Sequence, residues 1–158
     1  MMANSAETQT ELEKRYRITA LIVSGQIVLT VIFIAAALMF APTSETVTSS
    51  NNLTYLWVGA LFVAVGAFVL RRMLFRWDRL KDIFLLKGVS GLLGSLQKNA
   101  ILLGAMAEAI AIIGLLIVFL SGNRYEMLRA GAIALVVFVI NFPRKSVWKK
   151  IAANLENI

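Results

Sequence analysis

The residue in this chain whose type and position most invite chemistry is Glu108. It is the only formal charge well inside a long apolar run, Ala100 to Leu120. Eight residues beyond Ala100, it stands about 12 Å into that run at helical rise. A carboxylate at such a depth in hydrocarbon costs on the order of 2.5–3.5 kcal/mol on insertion scales. The cost falls if the group keeps its proton, or if it meets a donor or a cation. The sequence offers no Lys, Arg or His at the same depth, so a retained proton or a captured cation is expected there. Glu108 is therefore the ion-binding candidate.

At 100° per residue, Ile101, Gly104, Ala105, Ala111, Ile112 and Leu115 share the face of Glu108. Gly104, Ala105 and Ala111 are small enough to let another backbone approach. Gln26 and Thr30 lie four residues apart on another apolar run that crosses in the same direction, with Gln26 at a depth similar to that of Glu108. These five residues form the candidate support for Glu108, and Gln26 is the expected hydrogen-bond partner. The plainer reading of Gln26 is a glutamine that bonds a neighbouring helix as packing glue.

Other chemistry is thinly represented. Cysteine and histidine are both absent, which excludes disulfides, thiol chemistry and the usual Cys/His metal sites. There is no P-loop, dinucleotide fingerprint or serine nucleophile elbow. Gly88-x-x-Gly91-x-x-Gly94 lacks the Lys-Ser/Thr that a phosphate cradle needs. Asp78 and Asp82, at i and i+4, have the spacing of an acid–base pair, but beside Arg79 and Lys81 they read as neutralising a solvated face. No catalytic residue, metal or cofactor is expected, and the chain is not expected to be an enzyme. A net charge of +7 suits nucleic acid only on a soluble domain with a basic face. Here the positive residues stand at the edges of apolar runs, where anionic lipid headgroups meet them, so the expected partner is the bilayer and not nucleic acid.

The elements that must position these residues are transmembrane helices. Of the 158 residues 59% are hydrophobic, and the mean hydropathy is +0.77, above what soluble domains of this size carry. Four runs are long enough for a bilayer core: 18–41, 53–70, 100–120 and 127–142. They do not alternate apolar and polar residues, so they are helices rather than barrel strands. Nor do they leave an amphipathic side to face water, as a soluble bundle would. The first run is too long for a signal h-region, and Ala41 is followed by Pro42, so it is expected to stay as an uncleaved span. The fold class is all-α, an integral membrane four-helix bundle.

Orientation follows from charge. Fourteen of the sixteen Lys and Arg residues fall in the N-terminal segment 1–17, the connector 71–98 and the tail 143–158, all on one side of a four-span arrangement. Arg124 and Arg129 fall on the other side, with the Thr/Ser/Asn-rich loop 42–52 and its single acid, Glu45. Both termini are expected in the cytoplasm, placing the chain in the inner membrane if it is bacterial. Tyr55, Trp57 and Tyr125 mark the outer interface, and Trp77 and Trp148 the inner one. The connector mixes Leu74, Phe75, Ile83, Phe84, Leu85 and Leu86 with charges, which predicts an amphipathic helix along the membrane surface. Gly88, Gly91 and Gly94 are expected to form a flexible turn before the third span. Such a connector also suits docking to other membrane subunits or self-association. The two hairpins echo each other weakly, Gly59-Ala60 aligning with Gly131-Ala132 and, at a larger offset, Gln26 with Glu108.

The stretch Gly104-Ala105-Met106-Ala107-Glu108-Ala109-Ile110-Ala111-Ile112-Ile113-Gly114-Leu115-Leu116 resembles the outer helix of the proteolipid (c) subunits of rotary ATPases. The resemblance implies that Glu108 carries a transported proton or sodium ion, as the matching glutamate does in that family. It also implies that the second span, with Gly59 and Gly66, corresponds to the glycine-bearing inner helix. Ile113 stands where the family has tyrosine, the connector is far longer than the family's short polar loop, and two spans lie outside the match. The rest of the chain carries no resemblance.

Overall fold

The computed structural model describes residues 2–40 and 50–156, with side chains from 7 to 40 and from 53 to 154. Ala41 and most of the expected outer loop, Glu45 included, lie outside the described residues. The described chain is all-helical: α1 (Met2–Phe40), α2 (Ser50–Leu74), α3 (Trp77–Ser121), α4 (Arg124–Asn141) and α5 (Lys145–Glu156). Four helical segments are long and apolar enough to cross a membrane, the fourth running over Arg124–Asn154 and so taking in α4, the break at 142–144 and most of α5.

Local sequence explains the breaks. Gly122 closes α3 in the left-handed region at φ 68°, its N–H donating to the Val118 carbonyl, and Asn123 caps α4 by accepting from the Tyr125 amide. This two-residue link folds α4 back along α3. Pro143 follows the end of α4, where its ring and missing N–H prevent helix continuation.

The hub is α3, which touches each of the other helices, whereas α1 and α2 do not touch each other among the described residues. The buried stripe of α3 includes Leu103, Gly104, Ala107, Ile110, Ala111, Gly114, Ile117 and Val118, a helical repeat weighted toward small residues. Small residues set the close approaches. Gly114 lies against the Ala130 methyl of α4, and a methyl group at Gly131 would come within 2.6 Å of Ile34 of α1. Large apolar side chains ring the outside, Phe62 at 78% exposed, Leu21 at 72% and Val139 at 68%. A surface of that kind is stable in hydrocarbon and costly in water.

At 39 residues, α1 is about 58 Å long, nearly twice a bilayer's hydrocarbon thickness. Its first turns join a second core at the end of the bundle where both termini meet. Leu12 of α1, Leu80, Leu92, Leu93 and Leu96 of α3, and Trp148 and Ala152 of α5 are all buried there. Tyr16 meets Trp148 edge-on, ring centroids 6.0 Å apart. The connector 71–98 is largely helical, as expected, but the expected flexible turn at Gly88, Gly91 and Gly94 is not formed. The chain breaks at Phe75–Arg76 between α2 and α3, α3 kinks at Gly88 (φ 65°), and Gly91 and Gly94 lie within the helix. Leu80, Leu92, Leu93 and Leu96 are covered by α1 and α5, whereas Leu85 and Leu86 remain exposed at 66% and 82%.

Candidate functional site

Within the apolar part of the bundle, three of the neighbours of α3 are located around it by three contacts. Gly104 faces α1 through Gln26, Gly114 faces α4 through Ala130, and Met106 faces α2 through Gly66. At 100° per residue, Glu108 lies about 40° from Gly104 on the side turned away from Gly114. It therefore occupies the outer flank of the α1–α3 seam, half-buried, with Ala105 and Ile112 exposed on the same flank. Gly104 and Ala111 are buried in the seam. Of the small residues expected to admit a neighbouring backbone, Gly104 meets the side chain of Gln26, Ala111 is buried and Ala105 is exposed.

Gln26 comes to Gly104, one turn below Glu108. Its side-chain amide rests against the glycine, in space that a side chain there would fill. No hydrogen bond joins Gln26 to Glu108, and Glu108 has no hydrogen bond or ion pair among the described residues. Thr30 lies between Gln26 and Ile34 around α1, toward α4 and fully buried, on the opposite side of the seam from Glu108. Gln26 Oε1 and Thr30 Oγ1 are both buried without a hydrogen-bond partner. Thr19, by contrast, donates to the Arg15 carbonyl one turn back at 2.7 Å. The seam thus holds one carboxyl and two oxygens with unused hydrogen-bonding capacity. Buried polar atoms of that kind call for a proton donor, a water or a cation. Among the described residues no group of three or more acidic side chains is placed to hold a metal ion.

Other polar clusters lie at the two ends of the bundle. At one, Trp57 Nε1 of α2 donates to Glu126 Oε2 of α4 at 3.1 Å, while Asn123 and Arg129 donate to the other carboxylate oxygen at 3.3 and 3.2 Å. Trp57 is thus a tie between helices as well as an aromatic at a span end. At the other, Ser90 Oγ and Arg15 Nε both donate to Glu11 Oε1, at 2.7 and 2.9 Å. The Ser90 hydrogen bond, with Arg15 and Lys14 assisting, holds the Glu11 carboxyl below its ordinary range despite an opposing desolvation. Glu13 is lowered by Lys145, which donates to it at 2.6 Å. These ties were not read from the sequence. Asn123 as a helix cap was the one detectable signal, while the pairs separated by 69 to 132 residues left none. Comparison of the chain with family models, with curated proteins and with solved structures finds no match.

Proposed function

We propose that this is a multi-pass membrane protein, with both termini and the 71–98 segment on the cytoplasmic side, that binds a proton or small cation at Glu108. The reading is carried by one observation: a carboxyl in the middle of the third apolar segment has no partner among the described residues, beside a glutamine whose own oxygen is buried and unpaired there. Gln26 is the supporting ligand, able to accept from a protonated Glu108 or to share a cation with it after a side-chain rotation. Exposure on the outer flank gives the carboxyl an exchange route that a core position would deny. The local resemblance to rotary-ATPase proteolipids supports the same role. The asymmetry of Lys and Arg supports the orientation.

Carbodiimide labelling of the protein in detergent tests the site. Modification of Glu108, slowed by sodium or by raising the pH, is expected. An unreactive Glu108 in folded protein would remove the ion-binding reading.

A second reading is favoured by the exposure of Ala105 and Ile112 beside Glu108. A partner's helix laid on that flank would meet the carboxyl, making the chain a non-catalytic accessory subunit of a larger complex. Extraction in mild detergent should then recover a stoichiometric partner, lost in a Glu108→Leu variant.

A further inference from the structure

Away from Glu108, a cavity of about 480 Å³ opens where α2, α3, α4 and α5 converge at the basic end of the bundle. Its size is ordinary for a small-molecule site. Arg71, in the last turn of α2, and Arg144, immediately before α5, both line it. No acidic residue does. Neither arginine has an ion pair among the described residues, whereas the nearby Arg76 is paired with Asp78 and Lys145 with Glu13. Asn141 donates from Nδ2 to the Val137 carbonyl at 2.8 Å, leaving Oδ1 buried and without a partner. Trp148 forms a buried wall and Trp77, 43% exposed, stands at the rim.

The two arginines are the first charges beyond the second and fourth apolar runs, so they share the level at which phospholipid phosphates lie. Two guanidinium groups unpaired among the described residues, in a cavity without acids, favour an anion, and their planar forks match phosphate oxygens. The α5 N-terminus, with no acid in its first turn, adds partial positive charge at the same place. Asn141 Oδ1 then requires a donor beside that anion, which a headgroup hydroxyl supplies. We propose that this cavity binds the phosphodiester headgroup of an anionic phospholipid, with Arg71 and Arg144 on the phosphate and Asn141 on a headgroup hydroxyl. The inference rests on the membrane reading but not on any role for Glu108.

Native mass spectrometry of the full chain released from detergent, with phosphatidylglycerol or phosphatidylcholine titrated in, tests it. Retention of phosphatidylglycerol over phosphatidylcholine is expected. It should fall about tenfold in Arg71→Gln/Arg144→Gln and measurably in Arg144→Gln alone, where an exposed side chain is changed without risk to folding. Arg79→Gln/Lys150→Gln removes the same charge outside the cavity and should retain the preference. Equal loss in both double variants, or no preference in the native protein, overturns the site. Abolition of the preference by added inorganic phosphate would make the ligand a free phosphate and overturn the lipid assignment. Failure of the membrane reading itself would show earlier, as protein recovered folded without detergent.

Discussion

The amide of Gln26 on α1 rests against Gly104 on α3, in the space a β-carbon there would occupy, and its oxygen has no hydrogen-bond partner. A polar group is therefore held in an apolar seam by shape rather than by a bond. Because the amide ends a flexible side chain, Gly104→Ala should displace it at a cost below about 1 kcal/mol, the low end of overpacking effects. The coupling is the sharper readout. Combining Gly104→Ala with Gln26→Ala should reveal an interaction of about 0.5 kcal/mol or more in thermal unfolding in detergent. Simple additivity would mean that the two residues do not meet.

Gly114 makes the opposite case. Its neighbour is the Ala130 methyl, attached directly to the backbone of α4, so a side chain at Gly114 can be admitted only if the two helices separate. Gly114→Ala should cost about 1–3 kcal/mol. Gly59 has open space around its missing side chain, and Gly59→Ala should be neutral or stabilise by up to about 1 kcal/mol through helix propensity. Thermal midpoints of the two variants, measured side by side in one detergent, should fall on opposite sides of the native value or nearly so. This contrast also limits the sequence echo between Gly59 and Gly131, since among the described residues Gly131 is packed against Ile34 and Gly59 has no neighbour where a β-carbon would stand.

Glu108→Gln separates function from stability. The carboxyl has no partner to lose among the described residues, so the variant should fold and unfold like the native protein while carbodiimide no longer modifies position 108. A large drop in thermal midpoint would instead give Glu108 a structural bond that the seam does not contain.

The apolar runs were legible because length and composition alone decide whether a helix can cross hydrocarbon, and, Ala41 lying outside the described residues, the four expected runs fall within segments of that kind. What periodicity cannot reveal is which flank of an evenly apolar helix meets which neighbour. The face shared by Gly104, Ala105 and Glu108 was readable, yet Gly104 is buried against α1 while Ala105 is exposed. The second core escaped for a related reason. Leu92, Leu93 and Leu96 have the composition of a lipid-facing surface, and the first turns of α1, with Leu12, and the return of α5, with Trp148, make them an interior. The kink at Gly88 was half-legible: glycine signalled a break, but three glycines in seven residues suggested a loop where one positive φ suffices.

The junction of the termini with α3 should be sensitive to acid. Glu11 is held below its ordinary value first by the Ser90 hydrogen bond, and Glu13 by the hydrogen bond from Lys145. A carboxyl lowered on folding contributes stability that is fully present above its unfolded value, about 4.5, and is lost as pH falls through the folded value. Both carboxylates join α1 to other helices, Glu11 to α3 through Ser90 and Glu13 to α5 through Lys145. Acidification from about pH 6 to about pH 3 should therefore loosen this end of the bundle and lower the thermal midpoint. In Glu11→Gln/Glu13→Gln the decline should be shallower, because the groups whose protonation drives it are gone. Added salt should weaken the Glu13–Lys145 contribution more, since that pair is open to solvent on both sides. An acid profile unchanged by the double substitution would show that neither carboxylate carries the junction.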